Sequence, residues 1–305
     1  RGGIYDQVGG GFHRYSVDEE WLTPHFEKML YNQAQLGMIY LQAYQLTGND
    51  FFARVARQTC NYVLRDMQID QGGYYSATDA DSEGEEGTFF TWSQSELEKC
   101  LSPAQAELTK SLFGVSPGGN FEGANILHLS RPLSVSAREY GPDFYRDLDA
   151  VLMQLYQVRE QREHPLRDDK LIVSWCAQMA STLVWASQTL PFTEASSWLT
   201  SAETAVQRML DHNLQAGVEL KRISLHDVVS ITGQLEDYSS LIEALICLYD
   251  VTDKPDYLSN ACVLTARVIE EFWDATDQRF CLAPREQAGP KLVRSSNASD
   301  GATLS

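Results

Sequence analysis

The sequence predicts an all-α chain whose helical hairpins pack as a closed α/α toroid with short β-hairpins in the loops. Three observations carry that prediction: a segment that repeats, amphipathic helices paired across short turns, and loops too long and uneven for an open solenoid. Leu30 to Phe52, LYNQAQLGMIYLQAYQLTGNDFF, aligns without a gap on the segment beginning LEDYSSLIEALICLYDVTDKPDY at Leu235. Leu36 falls on Leu241, Leu41 on Ile246, Tyr44 on Tyr249, Thr47 on Thr252 and Phe52 on Tyr257, so apolar positions recur at helical spacing ahead of a shared turn. Each copy reads as helix, turn, helix and short extended loop, the second helix running from about Phe51 to Met67 in one and from about Asp256 to Trp273 in the other. A weaker copy, LIVSWCAQMASTLVWASQTLPFTEASSWL, breaks before Phe192 and ends near His212.

Another hairpin is expected from Ser93 to Phe113, with Ser93 and Ser102 as helix caps and Pro103 at a first helical position. A long helix is expected over Asp143 to Glu163. Strands are expected only in short aromatic runs such as GGYYSA and GTFFTW. Solenoid repeats keep a fixed period, whereas the spacing here varies and the loops are aromatic and acidic. A closed ring accommodates such loops at one end, where they form the floor and walls of a central cleft for a ligand.

A chain of 305 residues, 43% hydrophobic and 22% charged, buries a large core, and we expect one toroid domain across 1–305. Arg1 enters in the middle of a motif without an initiator Met, so an internal fragment of a longer protein is expected. The balance of 24 basic to 42 acidic residues, −18 overall, argues against nucleic acid or an anionic membrane as partner and favours a neutral or cationic ligand. No apolar run approaches the roughly 20 residues that span a bilayer. Cys60, Cys100, Cys176, Cys247, Cys262 and Cys281 are scattered without metal-type spacing and read as reduced core residues, which points to a reducing, cytoplasmic compartment.

The densest functional signal is the stretch from Gly2 to Asn32, where Gly2, Gly3, Gly9, Gly10 and Gly11 free the backbone and present His13, Arg14, Tyr15, Asp18, Trp21, His25, Glu27 and Lys28. Tyr31 and Asn32 follow where that loop enters the first repeat helix. Asn32 aligns with Asp237, beside Tyr238, and roughly with Trp175 in the weak copy, so three helix starts are expected to ring one cavity. Asp and Asn also favour helix starts for capping reasons. The run Asp79, Asp81, Glu83, Glu85, Glu86 opens like a calcium loop, but its twelfth position is Phe90, so no metal or cofactor is expected. It reads either as an acidic solvated loop or as a lid, with Tyr74, Tyr75, Phe89, Phe90 and Trp92 offering faces for sugar rings. Asp168, Asp169 and Lys170 precede a buried helix and suit either helix-start charge compensation or a site.

The blocks GGIYDQVGGGFHRYSVDEEWLTPHFEKMLY, GGYYSATDADSEGEEGTFFTW, HPLRDDKLIVSW, LEDYSSLI and DGATLS resemble, in order and over nearly the whole chain, the signature blocks of the YyaL family, also called the spermatogenesis-associated thioredoxin-fused proteins. The resemblance implies a helical toroid of the six-hairpin glycosidase class, related in fold to N-acylglucosamine 2-epimerases. It also implies a thioredoxin-like domain before Arg1, acting in cis, and closing hairpins that begin near DGATLS. It does not fix an activity, and the epimerase histidines do not map one for one onto this chain.

Two function classes follow. One is a carbohydrate-active enzyme, epimerase, isomerase or glycosidase, with His25 and Glu27 as acid or base and Asp237 and Asp168 as partners. The other is a non-catalytic module that binds a glycan or peptide beside the thioredoxin-like domain. A carboxyl or imidazole strongly shifted in acidity at the cleft floor favours the enzyme; carboxylates all paired to arginine favour the binder.

Overall fold

The computed structural model describes residues 1–285 and 296. DGATLS and the Asn297 triplet therefore lie outside the described residues. Ten helices follow in chain order among the described residues: α1 (Leu30–Thr47), α2 (Asp50–Tyr62), α3 (Gln94–Cys100), α4 (Pro103–Phe113), α5 (Leu133–Tyr140), α6 (Phe144–Arg159), α7 (Val173–Thr189), α8 (Ala195–Arg208), α9 (Leu235–Thr252) and α10 (Pro255–Phe272). Three hairpins, α1–α2, α7–α8 and α9–α10, make the toroid wall. Their first helices lie side by side on the inside with α7 in the middle.

Composition explains the layering. α7 is lined with small and aliphatic residues, and Cys176, Ala177, Met179, Ala180, Leu183 and Ala186 are all buried because α1, α8 and α9 surround it. α1 approaches closely at Gly37, where a Cβ would come within 3.0 Å of the Thr182 side chain, and the Thr182 hydroxyl donates to the Ala34 carbonyl at 2.9 Å. The outer helix α2 is strongly amphipathic and buries only Ala53, Val55, Ala56, Thr59, Cys60 and Tyr62. The shared turn of the repeat is real: Gly48 and Asp253 both sit in the left-handed region, φ 63° and 54°, and cap α1 and α9 in the same way. The outer helices α2 and α8 each end in a π-helical turn, Val63–Met67 and Met209–Asn213.

Helices α3 to α6 hold a second core of Trp92, Leu97, Phe113, Phe144 and Leu155. Ser93 and Ser102 both form capping boxes, and Pro103 opens α4, as their spacing predicts. α6 is shorter than the expected Asp143–Glu163 span, and α5 lacks a periodic signal long enough to read.

The strands differ most from expectation. GTFFTW turns inward, burying Phe89 and Trp92, rather than forming a hairpin. GGYYSA contributes only Ala77 to the strand Ala77–Thr78, which sits between Lys28–Met29 and Arg167–Asp168. A longer hairpin, Glu219–Leu225 with Val228–Thr232, turns at His226 and Asp227, both at positive φ, and pairs with Leu171–Ile172. Its sequence signal is the β-branched run VVSIT. A short strand thus immediately precedes α1 and α7, and this hairpin leads into α9, which fixes where the three inner helices begin.

All six cysteines are free. Cys60, Cys176 and Cys281 are buried, Cys100 and Cys247 are half-buried against the two cores, and Cys262 is exposed on α10, so the core reading fails for Cys262. No helix among the described residues is long and apolar enough to cross a membrane.

Candidate functional site

The glycine-rich block folds back on itself through a bridge between Tyr5 and Phe12. Gln33 of α1 clamps it, accepting from the Phe12 amide and donating to the Phe12 carbonyl, both at 2.7 Å. Gly11 needs its freedom twice over: φ is 78°, and a Cβ there would lie 2.6 Å from the Tyr62 ring. Extended backbone sends successive side chains to opposite faces. His13 and Lys28 therefore point inward, while Arg14 and Glu27 point outward.

Inside, the Lys28 ammonium reaches Asp6 Oδ2 at 2.7 Å and the Gly10 carbonyl at 2.8 Å, with the Tyr62 ring 4.2 Å away. Arg159 of α6 donates to Asp6 Oδ1 at 2.9 Å. Burial would raise the Asp6 carboxyl, but the guanidinium and ammonium beside it hold it well below the usual carboxylate range. Burial pulls Lys28 down to about 8 against the attraction of Asp6. Burial, helped by the Lys28 charge, pulls His13 down to about 3, so its ring is neutral, with Nδ1 2.9 Å from the Phe26 carbonyl and edges toward Phe26 and Phe90.

Outside, the strand Pro24–His25 pairs with Tyr15–Ser16, and the His25 ring stacks on Tyr15 at 5.0 Å. His25 Nδ1 lies 2.7 Å from Glu86 Oε1 and Nε2 lies 3.2 Å from Glu27 Oε2. The Nδ1 contact has hydrogen-bond geometry, whereas the Nε2 contact is an ion-pair distance that attracts only when the ring carries both protons. Glu27 also accepts from Arg14 at 2.8 Å, and the Arg14 guanidinium is held above its ordinary value by hydrogen bonds to Glu27 and Tyr31. Trp21 stands 60% exposed at φ 59°, a left-handed conformation uncommon for so bulky a residue.

Asn32, Trp175 and Asp237 each occupy the third position of an inner helix, α1, α7 and α9. Their environments differ. Asn32 donates to the carbonyls of His13 and Arg14, holding the glycine block on α1. Trp175 meets the buried Tyr31 edge to face at 4.9 Å. Asp237 is fully buried and saturated: Oδ1 accepts from the Ser174 amide at the start of α7, and Oδ2 accepts from Arg222 and the Gln234 amide. Burial raises its carboxyl, with Arg222 opposing. Tyr238 accepts from the Leu220 amide and donates to the Val218 carbonyl, inside the wall.

Asp168 pairs with Lys170 at 2.7 Å; burial acts to raise its carboxyl, but the hydrogen bonds from Lys170 leave it lowered. Asp169 accepts from Arg167, whose guanidinium lies 3.7 Å over the Tyr75 ring. Asp79 and Asp81 are exposed, the former turned onto the amides of Ala80 and Asp81. Trp92 is buried under the Arg162 guanidinium at 4.1 Å and offers no face to a ligand. The structure thus gathers His25, Glu27, Arg14 and Tyr15 at one rim, with Tyr31 buried beneath it, and leaves His13, Lys28, Trp92, Tyr238 and Asp237 in the interior. Sequence reasoning did not single out Glu86, although it lies in the acidic run it examined. It missed Asp6 and Arg159 too, a contact 153 residues apart. Among the described residues, no cluster of His, Cys, Asp and Glu could hold a metal ion.

The fold is that of the α/α-toroid sugar epimerases and isomerases. Cellobiose 2-epimerase from Bacillus thermoamylovorans superposes with a TM-score of 0.57 at 10% identity, covering 92% of this chain and 54% of that one. D-mannose isomerase superposes at 0.50 and 15% identity, covering 88% and 48%. In sequence the chain is similar to proteins named spermatogenesis-associated protein 20. It is 31% identical to the Mus musculus protein and 30% identical to the Homo sapiens protein, over 99% of its own length in both cases. It spans 42% and 43% of the length of those curated relatives. No family model matches the chain.

Proposed function

We propose that the chain is a carbohydrate-active enzyme of the toroid class that moves a proton on a sugar carbon beside a carbonyl, as an epimerase or isomerase does. The observation that carries this reading is the His25 imidazole, part-exposed and held between the Glu86 and Glu27 carboxylates at 2.7 and 3.2 Å. A carboxylate at one nitrogen fixes the ring and its tautomer while the other nitrogen exchanges a proton with a substrate that displaces Glu27. Arg14 then faces the carbonyl or hydroxyl oxygens, and Tyr15, stacked on His25, offers an aromatic face. Two carboxylates bridged by one imidazole suit this chemistry better than glycoside hydrolysis, which needs space for a sugar and often a water between them.

The test is incubation of the protein in D2O with aldoses, ketoses and N-acylated amino sugars, followed by proton NMR. We expect loss of the C2 proton signal of one sugar and growth of its epimer or isomer, reduced 10²- to 10⁴-fold by His25→Gln. No exchange with any sugar, despite a folded protein, sinks the proposal. The binding-module reading draws on a specific observation: Glu27, Asp168, Asp169 and Asp237 each pair with a basic side chain. Stabilisation by a sugar in a thermal-shift assay, without exchange, selects that reading instead.

A further inference from the structure

The hairpin that presents His25 also carries an apolar strip. In the pairing of Tyr15–Ser16 with Pro24–His25, Tyr15 lies opposite His25. The Val17 amide donates to the Thr23 carbonyl at 2.9 Å, so the pairing continues and Val17 lies opposite Thr23. Residues directly opposite share a face, and every second residue returns to it. Tyr15, Val17, Thr23 and His25 therefore stand on one face. Trp21 follows in the loop, four residues from His25, or about 14 Å of fully extended backbone at most. Along this strip Tyr15 is 47% exposed, Val17 62% and Trp21 60%.

The loop holds Trp21 in place. Asp18 accepts from the amides of Leu22 at 2.9 Å and Thr23 at 2.5 Å, and the Ser16 hydroxyl lies 3.1 and 3.2 Å from the carbonyls of Asp18 and Thr23. Gly2 and Gly3 pass so close that a Cβ on them would lie 2.0 Å from the Trp21 carbonyl oxygen and 1.9 Å from that of Leu22. Trp21 keeps φ 59°, which a bulky residue holds only where its surroundings dictate it. A ring fixed in advance loses little freedom when a ligand covers it.

Continuity assigns the occupant. The strip begins at the Tyr15 ring that stacks on His25, and the exposed Glu19 and Glu20 precede Trp21 in the same loop. An apolar ring face with hydrogen-bond acceptors beside it matches a pyranose, which is apolar on its C–H faces and polar at its edge. We propose that Tyr15, Val17 and Trp21 form a subsite for a second sugar ring, so that the substrate is a disaccharide or longer glycan whose reacting end meets His25 and whose next ring stacks on Trp21. This subsite rests on the carbohydrate reading of the His25 rim and defines its substrate class. A monosaccharide at His25 leaves Trp21 uncovered, which makes Trp21 a specificity-determining residue.

The test compares glucose with cellobiose, mannose with mannobiose and N-acetylglucosamine with chitobiose, by titration calorimetry and by proton exchange in D2O. We expect one disaccharide to bind about tenfold tighter, or more, than its monosaccharide. Trp21→Gly accepts the positive φ and removes the ring; it should abolish that advantage and leave the monosaccharide within about twofold. Trp21→Tyr should restore part of the advantage. Equal affinity for one ring and two overturns the proposal, as does a disaccharide advantage that Trp21→Gly leaves intact. So does a sugar-free dimer that Trp21→Gly dissociates in sedimentation, which makes the occupant a second copy. Exchange on a monosaccharide with no gain from a second ring overturns this subsite and leaves the reaction class standing. Tighter disaccharide binding without exchange does the reverse, and binding of no sugar removes both.

Discussion

The buried Asp6–Lys28–Arg159 cluster and the open His25 rim are drawn largely from the same stretch of chain. Only the alternation of extended backbone separates Lys28 from Glu27 and His13 from Arg14. Inside, two cations share one carboxylate under aromatic rings, and every charge depends on its partner because water cannot replace it. Outside, carboxylates, imidazole and guanidinium are part-exposed, and a ligand or water can substitute for any contact. Density of polar residues in a sequence therefore does not distinguish a site from its foundation. The inner cluster fixes the shape of the glycine block, and the rim uses that shape.

The sharpest way to break the comparison is Asp6→Ala. It leaves Lys28 and Arg159 buried without a counter-charge, and we expect a loss of about 3–5 kcal/mol in urea unfolding. Lys28→Met leaves the Asp6–Arg159 pair intact and should cost clearly less. If both cost under about 1 kcal/mol, the cluster is not what holds the block.

Acid comes next. His13 titrates near 3 when folded against 6.5 when unfolded, so between those values only the unfolded chain binds the proton and stability falls as pH falls. The loss should begin near pH 6.5 and reach about 2 kcal/mol by pH 5. Asp6 adds its own loss only below the ordinary carboxylate value of 3.8. Lys28, lowered from 10.5 to about 8, acts at the other end: the unfolded chain alone keeps its proton in that window, so this group makes stability rise with pH across it. Urea midpoints from pH 4 to 10 check both slopes, and a flat profile from 6.5 to 5 contradicts a buried neutral His13.

Local signals made much of the fold legible. The gapless match of Leu30–Phe52 with the α9 hairpin located two inner helices and their shared turn, because both helices close with a left-handed C-cap, Gly48 and Asp253, whose amides bond the carbonyls of Tyr44 and Tyr249. Ser93 and Ser102 announced α3 and α4 through capping boxes, and each should cost about 1 kcal/mol on change to Ala, measurable by thermal melts. Less visible were elements stabilised by distant partners: the strand Glu219–Leu225, which depends on Leu171–Ile172, and α5, which packs on α6. Within the candidate site, the residue types were legible but their facing was not. Trp92 and Asp237 look like ligand-binding groups in sequence, yet one packs under Arg162 and the other joins α9 to α7.

The smallest expected effect on stability sharpens the comparison from the other side. His25→Gln, Glu86→Gln and Glu27→Gln each remove a part-exposed contact, and exposed pairs contribute at most about 1 kcal/mol, so urea midpoints should barely move. On the proposed epimerase or isomerase reading, sugar turnover should not be so indifferent. Glu86 sits at the shorter contact and also accepts from the Phe26 amide at 3.3 Å, so Glu86→Gln loosens the imidazole and should lower kcat. Glu27→Gln removes the group that, on that reading, a substrate would displace from Nε2, and should change KM at least as much as kcat. A rim whose three variants all unfold the protein, while Asp6→Ala spares it, reverses the assignment of foundation and site.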